Sequence, residues 1–157
     1  MKHPLRLALL AVSLVLPLAL SGPHARADQA AAPAKVPTLY ERVGGYDAIS
    51  AVVEELVARL AADDKVGRFW AHRGEDGIRR EKQLVKSFIA EAAGGPIAYP
   101  GRTNPVSHKG MRIDAEDWKR MMAHLDAILT DFKVPPREHK DVMAFIDSTR
   151  KDIVEKK

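Results

Sequence analysis

Cysteine is absent from the chain of 157 residues. This absence excludes disulfide bonds, metal sites with thiolate ligands, and a cofactor attached through a C-x-x-C-H motif. The chain also lacks stretches of alternating polar and apolar residues, which would indicate strands, and it lacks internal repeats. The sequence therefore predicts an all-helical domain.

The first 27 residues contain no acidic residue, and they resemble a secretory signal peptide. Lys2 and Arg6 precede an apolar run of about 14 residues, shorter than the roughly 20 that span a bilayer. The small residues of "ARA" predict cleavage after Ala27. We therefore expect a periplasmic or secreted protein, with no stable insertion in the membrane after cleavage. Without disulfides, its stability must come from its core or from a bound ligand.

Removal of the leader changes the charge balance. The leader carries three of the 25 basic residues, so that 22 basic and 21 acidic side chains remain. The high isoelectric point therefore gives no argument for nucleic acid as a partner. The Ala- and Pro-rich segment 28–37 reads as a linker, and the domain is expected over 38–157.

Apolar residues at helical spacing predict a short helix and four longer ones. Thr38 and Glu41 have the spacing of a capping box at the start of the short helix. The longer helices are expected at about 47–62, 78–93, 114–132 and 136–155. The segments 63–77 and 94–110 have no helical period, and long loops of this kind are often functional. A large flat cofactor is one means of ordering them. The residues expected to face the core include Val52, Val53, Val85, Phe88, Ala92, Leu125, Ile128, Phe132, Val142, Ile146, Thr149 and Ile153.

Several of these segments together resemble the group I truncated haemoglobins. The matching pieces are "LYERVGG", "FW", "AAGGP", "SHKGMRI" and "FKVP", which occur in the family's order over about 38–154. The resemblance implies a two-over-two helical sandwich around a non-covalent haem b. The helix pairs would be 47–62 with 78–93, and 114–132 with 136–155.

The resemblance implies that His108 is the proximal ligand of the haem iron. A neutral imidazole nitrogen is a good ligand for ferrous and ferric iron. Gly110 would let the chain turn beside the macrocycle. His124 and His139 lie among charged residues on predicted helices and are expected to be solvated, and His72 lies in a loop.

The sequence departs from the family on the ligand-binding side. Group I pockets usually hold oxygen with a Tyr on the second helix and a Gln on the third. The matching positions here are Val57 and either Leu84 or Val85. Together with neighbouring apolar residues, these positions predict an apolar wall on the ligand-binding side. The side chains expected to contact haem are Val57, Trp70, Val85, Phe88, Ile89, Arg102 and Met111, with Leu56 beside them.

Charged and polar residues near the start of the helix expected at 78–93, and in the loop before it, leave two further interpretations open. His72, Glu81, Lys82 or Gln83 would close the sixth coordination site of the iron, or all four would be solvated surface residues. Arg79, Arg80 and Arg102 would bind the haem propionates, although most such charges face solvent.

These observations predict an exported haem protein that binds a diatomic ligand (O2, NO or CO). Its role would be oxygen binding, oxygen transport or electron transfer with a redox partner. The alternative is an enzyme, a nitric oxide dioxygenase or weak peroxidase. An enzyme needs a polar group beside the bound oxygen or peroxide, and Val57 argues against one. A helical interaction module that has lost haem is the third class, which His108 disfavours. Whether the protein is an enzyme is left open by the sequence.

Overall fold

The computed structural model describes residues 35–155, and every regular element in that range is helical. The helices are α1 (Leu39–Arg42), α2 (Gly45–Ala62), α3 (Glu75–Ala92), α4 (Asn104–His108), α5 (Ala115–Asp131), α6 (Pro136–Ser148) and α7 (Arg150–Ile153), with one 3-10 turn at Val66–Phe69. The predicted leader at 1–27 and most of the linker at 28–37 lie outside the described residues. Within the described part of the chain, no helix is long and apolar enough to cross a membrane.

Two helix pairs form the sandwich, and this confirms the predicted fold. Helix α2 packs against α3, α5 packs against α6, and α2 also contacts α5. Ile49, Val53, Val57 and Ala90 form a buried cluster between α2 and α3. The α2 members recur every four residues and therefore lie on one face of the helix.

The first helix begins as its sequence predicts. The Thr38 side chain accepts a hydrogen bond from the backbone of Glu41, and the Glu41 side chain accepts one from the backbone of Thr38. Gly44 and Gly45 both have positive φ angles, which side chains disfavour, and they turn the chain directly into α2. The short helix is tied to the end of α3 because Tyr40 N–H donates to the carbonyl of Ala93 at 2.9 Å.

Two expectations about where the chain is helical are wrong. The segment 94–110 is not wholly irregular, because residues Asn104–His108 form a helix with Pro105 in its first turn. A five-residue helix is too short to show an apolar period, although Pro favours that position. The last helix is not continuous, since it ends at Ser148 and a separate turn begins at Arg150. At the break, the Thr149 hydroxyl donates to the carbonyl of Ile146 at 2.7 Å, competing with helical hydrogen bonding.

Some residues expected in the core are exposed or only half buried. Ala92 is exposed at the last turn of α3, and Phe132 is 46% exposed because α5 ends one residue before it. Lys133 then adopts a positive φ that directs the chain away from the helix axis. The predicted α6 and α7 core residues are half buried because they line cavities rather than a closed core, namely Val142, Ile146, Thr149 and Ile153.

Candidate functional site

An apolar cavity of about 220 Å³ lies between the two helix pairs. Most of its walls are aliphatic or aromatic. The walls include seven of the eight residues that the sequence analysis proposed for haem and iron binding, and these are Val57, Trp70, Val85, Phe88, Ile89, His108 and Met111. These seven residues come from four separate parts of the chain, which are α2, the turn at Trp70, α3 and the segment around α4.

The cavity continues into a wider polar cleft of about 530 Å³. The two share residues from α3, from α4 and from the loop after α4, namely Glu81, Val85, Phe88, Asn104, His108 and Met111. Arg80 and Arg102 line only the cleft, and Arg102 is exposed. Arg79 lines neither space and pairs with Asp76 at 2.9 Å. An apolar interior with a basic mouth suits a flat apolar ring that carries carboxylates on one edge.

His108 is held in the form that an iron ligand requires. Its Nδ1 lies 2.9 Å from the carbonyl oxygen of Asn104, one helical turn earlier. A carbonyl oxygen only accepts, so Nδ1 carries a proton, and in the neutral ring Nε2 then keeps its lone pair. The half-buried ring lines both the cavity and the cleft. The formation of α4 thus fixes the tautomer that metal-binding histidines use.

Glu155 holds the loop that follows His108, and the sequence analysis missed it. Its carboxylate accepts hydrogen bonds from the backbone N–H of Gly110 and from that of Arg112, the latter at 2.7 Å. Glu155 N–H also donates to the carbonyl of Ile113 at 3.0 Å. Gly110 and Arg112 both have positive φ, a strained conformation for arginine that these bonds stabilise. No local sequence motif indicates this role, because Glu155 lies some 45 residues after the loop that it contacts.

The other two histidines on helices are half buried and paired, so the expectation that they are solvated is wrong. His124 Nε2 lies 2.9 Å from the Asp63 carboxylate, and His139 Nε2 lies 2.7 Å from that of Asp126. The hydrogen bond from His124, with backbone donors at Val66 and Lys65, lowers the pKa of Asp63. These contacts give both histidines a structural role outside the cavity.

Of the four residues considered for the sixth coordination site, only Glu81 lines the cavity. His72 is exposed, and Gln83 Nε2 donates to the Tyr46 hydroxyl at 2.6 Å. Lys82 donates to Glu54 at 2.6 Å, and the hydrogen bonds from Lys82 and Lys86 lower the pKa of Glu54. The structure therefore does not bring His72, Lys82 or Gln83 to the cavity.

The wall formed by α2 and α3 carries Val57 and Val85, whereas Leu84 faces only the cleft. Val57 is 4% exposed. Trp70 adds a different feature, because its indole Nε1 is buried and is the one such side-chain nitrogen or oxygen without a hydrogen-bond partner within residues 35–155. Buried indole N–H groups usually have an acceptor. An unpartnered donor in a cavity wall is consistent with an acceptor supplied by a bound group.

A second carboxylate, that of Asp117, lies in the cavity wall and is neutralised within the protein. It is 2% exposed, and Arg68 donates to both of its oxygens, at 2.9 and 2.6 Å. Burial alone would raise the pKa of Asp117, but the bonds from Arg68 and from the Asp114 backbone lower it to about 2. Asp117 therefore remains a buried anion bonded to Arg68 at neutral pH.

Comparison with known proteins identifies the family. A family model described as "Bacterial-like globin" matches residues 38–155. A group 1 truncated hemoglobin of Tetrahymena pyriformis is 30% identical over 122 residues, 78% of this chain and 98% of that protein. The chain belongs to the group I truncated globins.

A further relative and a solved structure agree with the assignment of this truncated globin to the family. A group 1 truncated hemoglobin of Nostoc commune is 34% identical over 88 residues, 56% of this chain and 72% of that protein. The crystal structure of the Tetrahymena pyriformis truncated hemoglobin in its Fe(III) form has a TM-score of 0.69 at 26% identity, with 75% of this chain and 98% of that chain covered. Haem is the cofactor of this family, and the two-over-two arrangement agrees with that structure.

Proposed function

We propose that this truncated globin is exported and binds a diatomic gas at a haem b iron held non-covalently by His108. The single observation that supports it most is the Nδ1 hydrogen bond to Asn104, which leaves Nε2 free in an apolar cavity. The haem, when bound, supplies an iron with one open position for O2, NO or CO. Val57, Trp70, Val85, Phe88 and Ile89 would pack on the ring, with Met111 near His108.

The basic side chains of the cleft would receive the haem propionates. Arg80 and Arg102 line the cleft, and neither has an acidic partner among the ion pairs within residues 35–155. A guanidinium matches a carboxylate with two parallel hydrogen bonds. The same edge of the haem would be exposed at the cleft, where a redox partner would approach in an electron-transfer role.

An absorption spectrum of the purified protein tests the assignment. Ferric, ferrous and carbon monoxide-bound forms should give Soret bands of a haem with one histidine ligand. His108→Ala should lose most of its haem, whereas His124→Ala and His139→Ala should retain it, because both pair with aspartates outside the cavity. Full haem retention by the His108 variant, with an unchanged Soret band, would refute the ligand assignment.

Export is proposed from the leader alone. The mature chain should begin at Asp28 if cleavage follows Ala27. Mass spectrometry of protein from the periplasm or culture medium measures this, and protein found only in the cytoplasm with Met1 retained would contradict it.

An enzymatic role as a nitric oxide dioxygenase or weak peroxidase is the second candidate. One observation favours it, because Glu81 brings a carboxylate to a cavity that the sequence predicted to be apolar. A positioned carboxylate can move a proton during peroxide cleavage. Peroxide turnover that falls in Glu81→Gln without loss of haem would support this role, and turnover equal to that of free haem would exclude the peroxidase.

A further inference from the structure

Glu81 stands at the boundary between the apolar cavity and the polar cleft. Its side chain lines both spaces and is 24% exposed. Its carboxylate accepts a hydrogen bond from Arg73, which lines the cleft alone and is 42% exposed. A negative charge thus lies next to the cavity, with its positive partner farther toward solvent.

The second carboxylate in the cavity wall is arranged differently. Arg68 covers both oxygens of Asp117, which is almost inaccessible, so that little of its charge is directed at the cavity. Glu81 has Arg73 on one oxygen and remains partly open to the space that a ligand must cross. In the haem-loaded protein Arg80 and Arg102 would pair with the propionates, so the charge at this boundary would be set mainly by Glu81 and Arg73.

We propose that Glu81 and Arg73 form a charged filter that sets the preference of the iron for neutral over anionic ligands. The proposal rests on the haem site of the proposed function. The substrate class that it disfavours is the small inorganic anions, such as azide and fluoride. Neutral diatomic gases carry no net charge and would pass the same boundary unaffected.

Electrostatics gives opposite signs for the two partners. Loss of the negative charge of Glu81 leaves Arg73 unpaired and should strengthen anion binding. Loss of Arg73 leaves Glu81 unpaired and should weaken anion binding. One charge at a partly screened site changes the affinity for an anion by about five- to tenfold, and salt reduces the effect.

The test is equilibrium titration of the haem-loaded ferric protein with azide and fluoride, followed by absorbance. We expect Glu81→Gln to raise both affinities about five- to tenfold, and Arg73→Gln to lower both by a similar factor. The double variant should lie between the parent and Glu81→Gln, because it loses the negative charge nearer to the cavity together with the positive charge farther from it, and all differences should shrink at high salt. Binding of imidazole to the ferric form and of carbon monoxide to the ferrous form should change little in any variant.

Arg79→Gln supplies the matched control. It removes one positive charge, as Arg73→Gln does, but Arg79 is 75% exposed, pairs with Asp76 and lines neither the cavity nor the cleft. Its anion affinities should stay close to those of the parent. Shifts of the same sign in Glu81→Gln and Arg73→Gln, or equal shifts for neutral ligands, would overturn the filter.

Two further outcomes separate this proposal from the one on which it rests. A ferric spectrum that changes in Glu81→Gln before any ligand is added would make Glu81 an iron ligand and overturn the filter while leaving the haem site intact. Haem retention without His108 would instead remove the proposed function itself. Unchanged anion affinities in a variant with its full haem content overturn the filter alone.

Discussion

The two sides of the cavity are built by different interactions. On one side, α2 and α3 present a wall of apolar side chains whose positions follow from helical spacing around a buried cluster. On the other side, the short α4 and the loop after it are held by directed hydrogen bonds, from His108 to Asn104 and from Gly110 and Arg112 to Glu155. The apolar wall tolerates adjustment of side chains, whereas α4 and the loop that follows His108 depend on a few polar contacts.

This difference predicts which substitutions will have large effects on haem retention and which will have moderate effects on ligand kinetics. Packing energy is spread over many contacts, so that exchanges of similar volume in the wall cost little. A charged hydrogen bond is a single contact that contributes on the order of 1.5–3 kcal/mol, and its loss changes the position of the backbone it held. We therefore expect large effects on haem retention from the loop and moderate effects on ligand kinetics from the wall.

Glu155→Ala should give the largest effect of the three substitutions that follow. Both hydrogen bonds to the loop are lost, and we expect haem to leave about thirty- to a hundredfold faster. The measurement is haem transfer to an excess of a haem-scavenging apoprotein. Asp152→Ala is the control, because Asp152 lies exposed on α7 close to Glu155 in sequence. An unchanged rate in the Glu155 variant would mean that the loop holds its shape without this residue.

Asp117→Asn comes next and tests a buried charge near the same loop. The folded pKa of about 2 lies below the ordinary 3.8, so the carboxylate stabilises the fold above pH 3.8 and loses this effect as the pH falls toward 2. The shift corresponds to about 2 kcal/mol in unfolding free energy at neutral pH. Urea unfolding should show that difference at pH 7 and a smaller one in acid.

Glu116→Gln is the control for Asp117→Asn, since Glu116 is 52% exposed and its contact to Arg120 is 3.8 Å. An exposed pair of this kind contributes at most about 1 kcal/mol. A difference between the Asp117 variant and the parent that stays constant from pH 7 down to pH 3 would contradict the role of the charge.

Val57→Tyr tests the apolar wall and should give the smallest effect. Val57 places no donor in the wall, so oxygen should dissociate rapidly from the parent protein. A phenolic donor should slow oxygen release about tenfold, which corresponds to one hydrogen bond. Carbon monoxide release should change much less. Stopped-flow kinetics on both proteins measures this.

Slow oxygen release by the parent protein would mean that another donor already reaches the ligand. The unpartnered Nε1 of Trp70 is the first residue to test in that case. Trp70→Phe should then speed oxygen release, whereas it should leave the rate unchanged if Val57 accounts for the behaviour.

The sequence predicted the packed parts of the molecule better than the hydrogen-bonded parts. Local spacing shows which residues of α2 face the core, and the Thr38 capping box predicted its partner correctly because the pattern spans four residues. The pairing of Glu155 with Gly110 depends on how two segments 45 residues apart meet, and that of Glu81 with Arg73 depends on the course of the loop that leads into α3. The spacing of residue types along the chain does not predict such tertiary contacts.

The cavity residues were predicted by a combination of both kinds of argument. Helical spacing predicted that Val57, Val85 and Ile89 lie on buried faces, and the resemblance to the family contributed their place at the cavity and the role of His108. The contacts of Lys82 could not be predicted, because a charged side chain on a helix can turn toward either neighbouring element, and spacing gives no prediction for His72 in its loop. The Lys82 ammonium donates to the Glu54 carboxylate, a contact that depends on the packing of α3 against α2.

The contact between Glu155 and the loop after His108 also constrains when the site can form. The two segments are 45 residues apart in sequence, and synthesis at about 5–20 residues per second separates them by roughly 2–9 s. During that interval the loop that follows the histidine in a nascent chain would lack its hydrogen bonds to Glu155. Tight capture of haem is therefore expected only after residue 155 has been made, so that cofactor loading follows synthesis rather than accompanying it.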